Sequence, residues 1–217
     1  MERRDTQVTV LKTTGSLSET PAITQQAFRW IRTGLTGLYW RCLGKGIGNP
    51  PVPRSPRSVL FLCQGNICRS PFAERYLRKV AESGNPGRIR SRSAGLDVRV
   101  SAPPPDLAVQ AAKARAVDLT DHRSKPVTAD MIEESDMIFV VEHRQVAVLR
   151  RIFPGNDPKI FLLPLFGAGP PPAWNYALRY NIPDPYGKSE EDFLECFRMI
   201  ESSIEGFLSR CDRYPRT

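Results

Sequence analysis

The chain has 217 residues, 41% of them hydrophobic and 25% charged, which is enough for one sizeable core and too few for two full domains. Its five scattered cysteines exclude the framework of a small disulfide-stapled secreted protein, and no run of about 18 uncharged apolar residues offers a membrane span. The formal net charge of +8 is unevenly placed: residues 1–57 hold nine basic and three acidic side chains, residues 58–217 hold 22 and 20, so the body is close to neutral and nucleic acid is not an expected partner.

The first twenty residues lack the apolar stretch of a signal peptide, and the expectation is a cytoplasmic protein. Farther on, Phe28, Ile31, Leu35, Leu38 and Cys42 recur at spacings of three and four, one face of a helix, with Arg29, Arg32 and Arg41 beside it. Gly34 and Gly37 weaken that helix by up to ~1 kcal/mol each. A basic amphipathic helix over residues 24–43 suits an anionic membrane surface, which would place the protein peripherally at the inner membrane. A helix packed on the main domain and a disordered tail are the other readings. Residues 44–57, GKGIGNPPVPRSPR, read as a Pro/Gly linker, so the chain divides into a basic extension, 1–57, and a domain, 58–217.

From residue 58, apolar runs alternate with segments of helical period. SVLFLC (58–63) predicts a buried strand and SPFAERYLRKVAES a helix; IRSRSAGL and DLAVQAAKARAV repeat that order. DMIFVV then precedes EHRQVAVLRRIF, and KIFLLPLF precedes a Pro-rich loop and a last helix, SEEDFLECFRMIESSIEGFLSR. Such alternation predicts an α/β fold with a parallel sheet and helices on both faces, in which ligands sit at the carboxyl ends of the strands.

That rule singles out SVLFLCQGNICRSP. The strand ends at Cys63, and Ser70 and Pro71 suit the N-cap and first position of the next helix. The intervening loop, from Gln64 through Gly65, Asn66, Ile67 and Cys68 to Arg69, then aims free amides into a concavity at the positive end of a helix dipole, a site for phosphate. Gly65 and Asn66 tolerate left-handed backbone angles, as a loop curling around an anion needs. Positive potential there favours a Cys63 thiolate, a nucleophile facing bound phosphate. Arg69 can clamp two phosphate oxygens, and the Ser70 hydroxyl can stabilise the sulfur anion.

CQGNICRSP (63–71) closely resembles the signature loop of the low molecular weight protein tyrosine phosphatases. Three further stretches are similar to that family in the right order: SAGL (93–96), DHRSKPVT (121–128) and IPDPYG (182–187), the last resembling its Asp-Pro acid loop. The resemblance covers about residues 58–212. It implies a four-stranded parallel sheet, hydrolysis of protein phosphotyrosine through a cysteinyl-phosphate intermediate, and no metal or other cofactor. Carried over to this chain, it makes Cys63 the nucleophile, Arg69 the phosphate clamp, and Asp184 the acid that protonates the leaving phenolate and then acts as base. Asn66, Ser70 and His122 resemble the network that supports the loop, and Cys68 the second cysteine, which in this family can form a reversible disulfide with the nucleophile.

The acid loop IPDPYGKSEEDF looks closer to bacterial members, some of which act on tyrosine kinases of polysaccharide export, so such a kinase is an expected partner. Arg99 falls where many relatives carry an aromatic residue, and Gly187 where many animal relatives carry a second tyrosine. Trp174, Tyr176 and Tyr180 could form an aromatic rim beside the acid loop or pack on the domain surface. His143 reads as a solvated residue, Cys196 and Cys211 as thiols of the last helix.

Two other functions compete. A thioredoxin-linked arsenate reductase uses a similar loop but needs resolving cysteines well downstream of the nucleophile, and none occurs between Cys68 and Cys196. A non-catalytic phosphotyrosine reader is the second, against which the presence of Cys63, Arg69 and Asp184 together counts. A nucleotide-binding loop at GKS (187–189) fails because Ile182 stands where its first glycine should be.

Overall fold

The computed structural model describes residues 47–84, 89–167, 169 and 176–211; the helix expected over 24–43, Trp174 and the side chain of Tyr176 lie outside the described residues. Strands β1 (Ser58–Cys63), β2 (Arg90–Gly95), β3 (Met137–Val140) and β4 (Ile160–Leu162) form one wholly parallel sheet in the order β2-β1-β3-β4. The helices are α1 (Arg69–Gly84), α2 (Asp106–Lys113), α3 (Ala129–Glu133), α4 (His143–Ile152) and α5 (Glu190–Leu208).

The two-residue period of the strands sorts their side chains between two cores. Val59, Phe61, Met137, Phe139 and Phe161 face one side, where α1, α2 and α5 bring Phe72, Leu77, Ala108, Phe193, Phe197 and Ile204. Leu60, Leu62, Ile138, Val140, Ile160 and Leu162 face the other, with Ile132 of α3 and Leu149 of α4. The expected helices on both faces are present, and the central strands are apolar throughout because neither face meets water. Phe72 stacks on Phe197 with ring centroids 3.9 Å apart, tying α1 to α5, and each such buried side chain contributes roughly 1.5–3 kcal/mol.

Several boundaries differ from the sequence pattern for local reasons. KIFLLPLF gives only a three-residue strand, because Pro164 cannot supply a ladder donor and residues Leu163–Phe166 wind into a 3-10 turn. α5 crosses that turn so closely that a Cβ on Gly206 would stand 1.9 Å from the Phe166 carbonyl oxygen. DLAVQAAKARAV is helical only to Lys113; Ala116 adopts φ 53, and Val117 N–H closes back on the Ala112 carbonyl at 3.0 Å. α3 was not foreseen, being too short to show a period; Thr128 caps it by accepting from Met131 N–H at 3.3 Å. Cys211 follows the last helix rather than lying on it, and both Cys196 and Cys211 are buried.

Residues 47–57 carry no helix or strand, as their prolines imply, yet they are packed as a strap. Ile47 rests on one core and Val52 on the other, so the strap crosses the open edge of β4. At the crossing the Asn49 amide accepts from Leu162 N–H at 2.7 Å and donates to the Leu162 carbonyl at 3.1 Å, occupying an edge that would otherwise invite another strand. The strap ends with the Arg57 and Ser58 N–H groups on the Asp136 carboxylate, at 2.7 and 2.9 Å.

Candidate active site

Cys63 is the last residue of β1 and pairs in register with Gly95, the last residue of β2, so both neighbouring strand ends open onto the same loop. Gly95 has no room for a side chain: a Cβ there would lie 2.4 Å from Val98 and 2.9 Å from the Gln64 carbonyl oxygen. The chain after β2 is stitched to the loop by Leu96 N–H on the Cys63 carbonyl and Asp97 N–H on the Gln64 carbonyl, both at 2.9 Å.

The first bond of α1 runs from Phe72 N–H to the Cys68 carbonyl at 3.2 Å, so the helix begins at Arg69 and Ser70 is not its N-cap. The Ser70 hydroxyl lies instead 3.0 Å from Cys63 Sγ, with the Ala94 carbonyl at 3.3 Å. Its oxygen already accepts Asn66 Nδ2 at 2.9 Å, which leaves its single proton for those two acceptors. Asn66 takes the expected left-handed conformation, φ 53, whereas Gly65 does not. That strain is held by a fully buried side chain: Nδ2 also donates to Ser93 Oγ at 3.0 Å, Oδ1 accepts Lys125 N–H at 3.1 Å, and the Asn66 carbonyl accepts His122 Nε2 at 2.8 Å. A carbonyl only accepts, so His122 carries its proton on Nε2. Burial holds the imidazole below its ordinary range, despite its bond to the Asn66 backbone.

The network continues to a residue that the pattern did not flag. Ser93 Oγ donates to Glu74 Oε2 at 2.6 Å, and Glu74 is buried on α1, one turn beyond Ser70, with Arg78 on its other oxygen at 2.8 Å. The spacing from Ser70 to Glu74 was the available signal.

Cys63 Sγ sits at the floor of a pocket of roughly 160 Å3, accepting Asn66 N–H at 3.2 Å. The pocket is lined by Cys63, Gln64, Gly65, Ile67, Cys68 and Arg69 from the loop and, across from them, by Asp184 and Tyr186. Asp184 is about half exposed and accepts Tyr186 N–H at 3.2 Å through Oδ1, while Arg69 Nη2 donates to its Oδ2. The other end of the Arg69 fork, Nη1, is held by Glu142 at 2.5 Å and by the Ile182 carbonyl at 3.2 Å. Burial alone would pull this guanidinium down, but electrostatic interaction with neighbouring Cys63, Asp184 and Glu142 reverses that and raises it. Burial, with Cys63 and Asp184 adding to it, pushes the Cys68 thiol up, so Cys68 is the neutral thiol of the loop.

Glu142 was also missed, although it follows β3 as Cys63 ends β1 and the same rule on strand ends points to it. Two further expectations need correction. Tyr180 is buried among the residues of the second core and is no part of an exposed rim; its carbonyl accepts His143 N–H at 3.1 Å, which ties its chain to the start of α4. His143 is half-buried at the start of α4, where burial and the nearby Arg150 lower it, so it is not a solvated surface residue. Arg99 is exposed, 3.6 Å from the Asp97 carboxylate, and Gly187 has φ 73, a conformation that a tyrosine would strain.

A cysteine flanked by hydrogen-bond donors at a strand end, an arginine beside it and a carboxylate across the pocket define a phosphate-handling hydrolase of the parallel α/β class. The chain matches the sequence model of the low molecular weight phosphotyrosine protein phosphatases over residues 58–216. It is 33% identical over 156 residues, 72% of this chain and 95% of the relative, to the low molecular weight protein-tyrosine-phosphatase Etp of Escherichia coli K12. Among solved structures, the tyrosine phosphatase AmsI of Erwinia amylovora aligns with a TM-score of 0.60 and 31% identity, covering 71% of this chain and 92% of that one. The Vibrio vulnificus Wzb in complex with benzylphosphonate aligns at 0.59 and 29%, covering 70% and 97%. This chain belongs to the low molecular weight phosphotyrosine protein phosphatase family and hydrolyses protein phosphotyrosine.

Proposed function

We propose that Cys63, Arg69 and Asp184 carry the reaction. The Cys63 thiolate attacks phosphorus in line as the bond to the tyrosine oxygen breaks, and Asp184 gives its proton to that oxygen. Arg69 Nη2 transfers from Asp184 to the equatorial phosphate oxygens, while Nη1 stays on Glu142 and Ile182. The amides from Gln64 to Ser70, at the open start of α1, hold the same oxygens. Water then attacks the cysteinyl phosphate, losing a proton to Asp184, and the thiolate leaves towards the Ser70 hydroxyl. Asn66, Ser70 and His122 hold the loop, and Cys68 serves as the redox partner of Cys63. The observation that carries this reading is the single pocket in which Cys63, Arg69 and Asp184 meet.

The test is parallel hydrolysis of phosphotyrosine, phosphoserine and, with thioredoxin, arsenate, in the presence of chelator. The wild type turns over phosphotyrosine alone and Cys63→Ser turns over none; substantial residual turnover by Cys63→Ser removes the nucleophile assignment.

The substrate we favour is a phosphorylated bacterial tyrosine kinase, on the resemblance of the Ile182–Phe193 loop to bacterial members. The benzyl ring and phosphonate held by the Vibrio vulnificus Wzb match the phosphotyrosine side chain expected in this pocket. The strap, residues 47–57, belongs with the catalytic domain, and the basic extension before it rests on anionic membrane through residues 24–43. Among the described residues no helix is long and apolar enough to cross a membrane. If the full chain and a chain starting at Ile47 remain equally in the supernatant with anionic vesicles at low salt, the membrane role is wrong.

A further inference from the structure

We propose that Arg144, which lies outside the pocket wall, is a positioning residue for the phosphatase reaction: it fixes the carboxylate that aims Arg69 and offsets that carboxylate's charge. The inference rests on Arg69 being the phosphate clamp. Glu142 is the N-cap of α4, and its side chain, 14% exposed, accepts from Gln145 N–H, from Arg69 Nη1 at 2.5 Å, and from Arg144 Nε at 2.6 Å and Nη2 at 3.4 Å. Arg144 Nε takes Oε2, the oxygen that Arg69 does not, while Nη2 reaches Oε1 beside Arg69, so the carboxylate cannot rotate away from Arg69 without breaking a charge-assisted bond. Arg69 in turn must present Nη2 to the pocket, and the Ile182 carbonyl at 3.2 Å is its other fixed restraint.

Charge gives the second half. With Cys63 as attacking thiolate and Asp184 still holding the proton it will donate, the charges gathered here are Cys63 and Glu142, negative, against Arg69 and Arg144, positive; the sum is zero, and −1 without Arg144. A phosphate dianion must enter that field. Arg144 therefore does what a buried arginine clamp alone cannot: it lets Glu142 orient Arg69 without making the pocket repel its ligand. The raised Arg144 guanidinium and the lowered Glu142 carboxyl, the latter despite burial, accord with this pairing.

The experiment measures inhibition by inorganic phosphate, kcat and KM on a phosphotyrosine peptide, and melting temperature for the full chain at low and high ionic strength. Arg144→Ala weakens phosphate inhibition about tenfold at low ionic strength, less at high, and lowers kcat as Arg69 loses its aim. Arg144→Lys restores most of the phosphate inhibition and less of kcat, because it returns the charge but not the fork. In a Glu142→Gln background the loss on Arg144→Ala shrinks below about threefold, the signature of action through Glu142. Arg144→Met, which keeps an aliphatic stem, gives the same reading should the alanine variant melt early. Phosphate inhibition and kcat within about twofold of wild type, or an undiminished loss in the Glu142→Gln background, overturns the inference. Arg69→Ala is measured alongside: unchanged phosphate inhibition there overturns the phosphate-clamp reading itself, and this inference with it.

Discussion

Replacing Asn66 by alanine tests how the loop keeps its shape. The substitution removes two bonds donated by Nδ2, at 2.9 and 3.0 Å, and one accepted by Oδ1, at 3.1 Å. At about 1 kcal/mol net for each, that loses about 3 kcal/mol. Alanine at φ 53 adds roughly 1–2 kcal/mol of strain, which glycine would not incur. For a domain of this size 1 kcal/mol moves the melting temperature by about 2–4 °C, so Asn66→Ala should melt some 10–15 °C lower. Asn66→Gly should melt between the two. Both free Ser70 from its donor, and a displacement of the loop by about 1 Å would cost on the order of a hundredfold in kcat/KM for p-nitrophenyl phosphate. Thermal melts and initial rates on the three proteins decide it. An Asn66→Ala protein that melts within 3 °C or so of wild type with undiminished turnover would refute the idea that this side chain holds the loop.

Three further outcomes are expected. Asp184→Asn slows substrates with poor leaving groups far more than p-nitrophenyl phosphate, whose phenolate departs with less help; equal losses, measured as kcat for the two substrates, remove Asp184 from the acid role. Asn49→Ala opens the β4 edge and loses two bonds, lowering stability by about 2 kcal/mol in denaturant melts while kcat on p-nitrophenyl phosphate holds; an unchanged midpoint would make the strap incidental. Because burial lowers the folded-state His122 imidazole below its ordinary 6.5, the unfolded chain binds more protons, so stability is full above about pH 6.5 and falls as pH drops through the folded value; His122→Gln should flatten that slope, and an identical pH profile for both proteins would contradict it.

The loop and fold were legible because their signals are local. β1, β3 and β4 are apolar runs buried on both faces, whereas the edge strand β2, RSRSAG, exposes Arg90 and Arg92 and shows only as an alternation; the Gly-Asn, Arg-Ser-Pro sequence reports backbone requirements at adjacent positions. What escaped depends on distant partners. Glu74 and Glu142 look like ordinary surface carboxylates in sequence, and only the fold brings them to Ser93, 19 residues away, and to Arg69, 73 residues away. Ser70 looked like a cap because its residue type suits one; the nearby thiol made a better use of its hydroxyl. Asn49 lay in a stretch whose prolines exclude helix and strand, and composition says nothing about packing against a β edge 113 residues away.

The central claim is that the Cys63 sulfur carries the phosphoryl group between the two halves of the reaction. Asp184→Asn, slow in the second half, can be mixed with a phosphotyrosine peptide, quenched in acid, digested and examined by mass spectrometry. One phosphoryl group on the peptide containing Cys63, absent from the same digest of Cys63→Ser, is the predicted result. Steady turnover with that peptide always unmodified, or a phosphoryl group found on another residue, would contradict it.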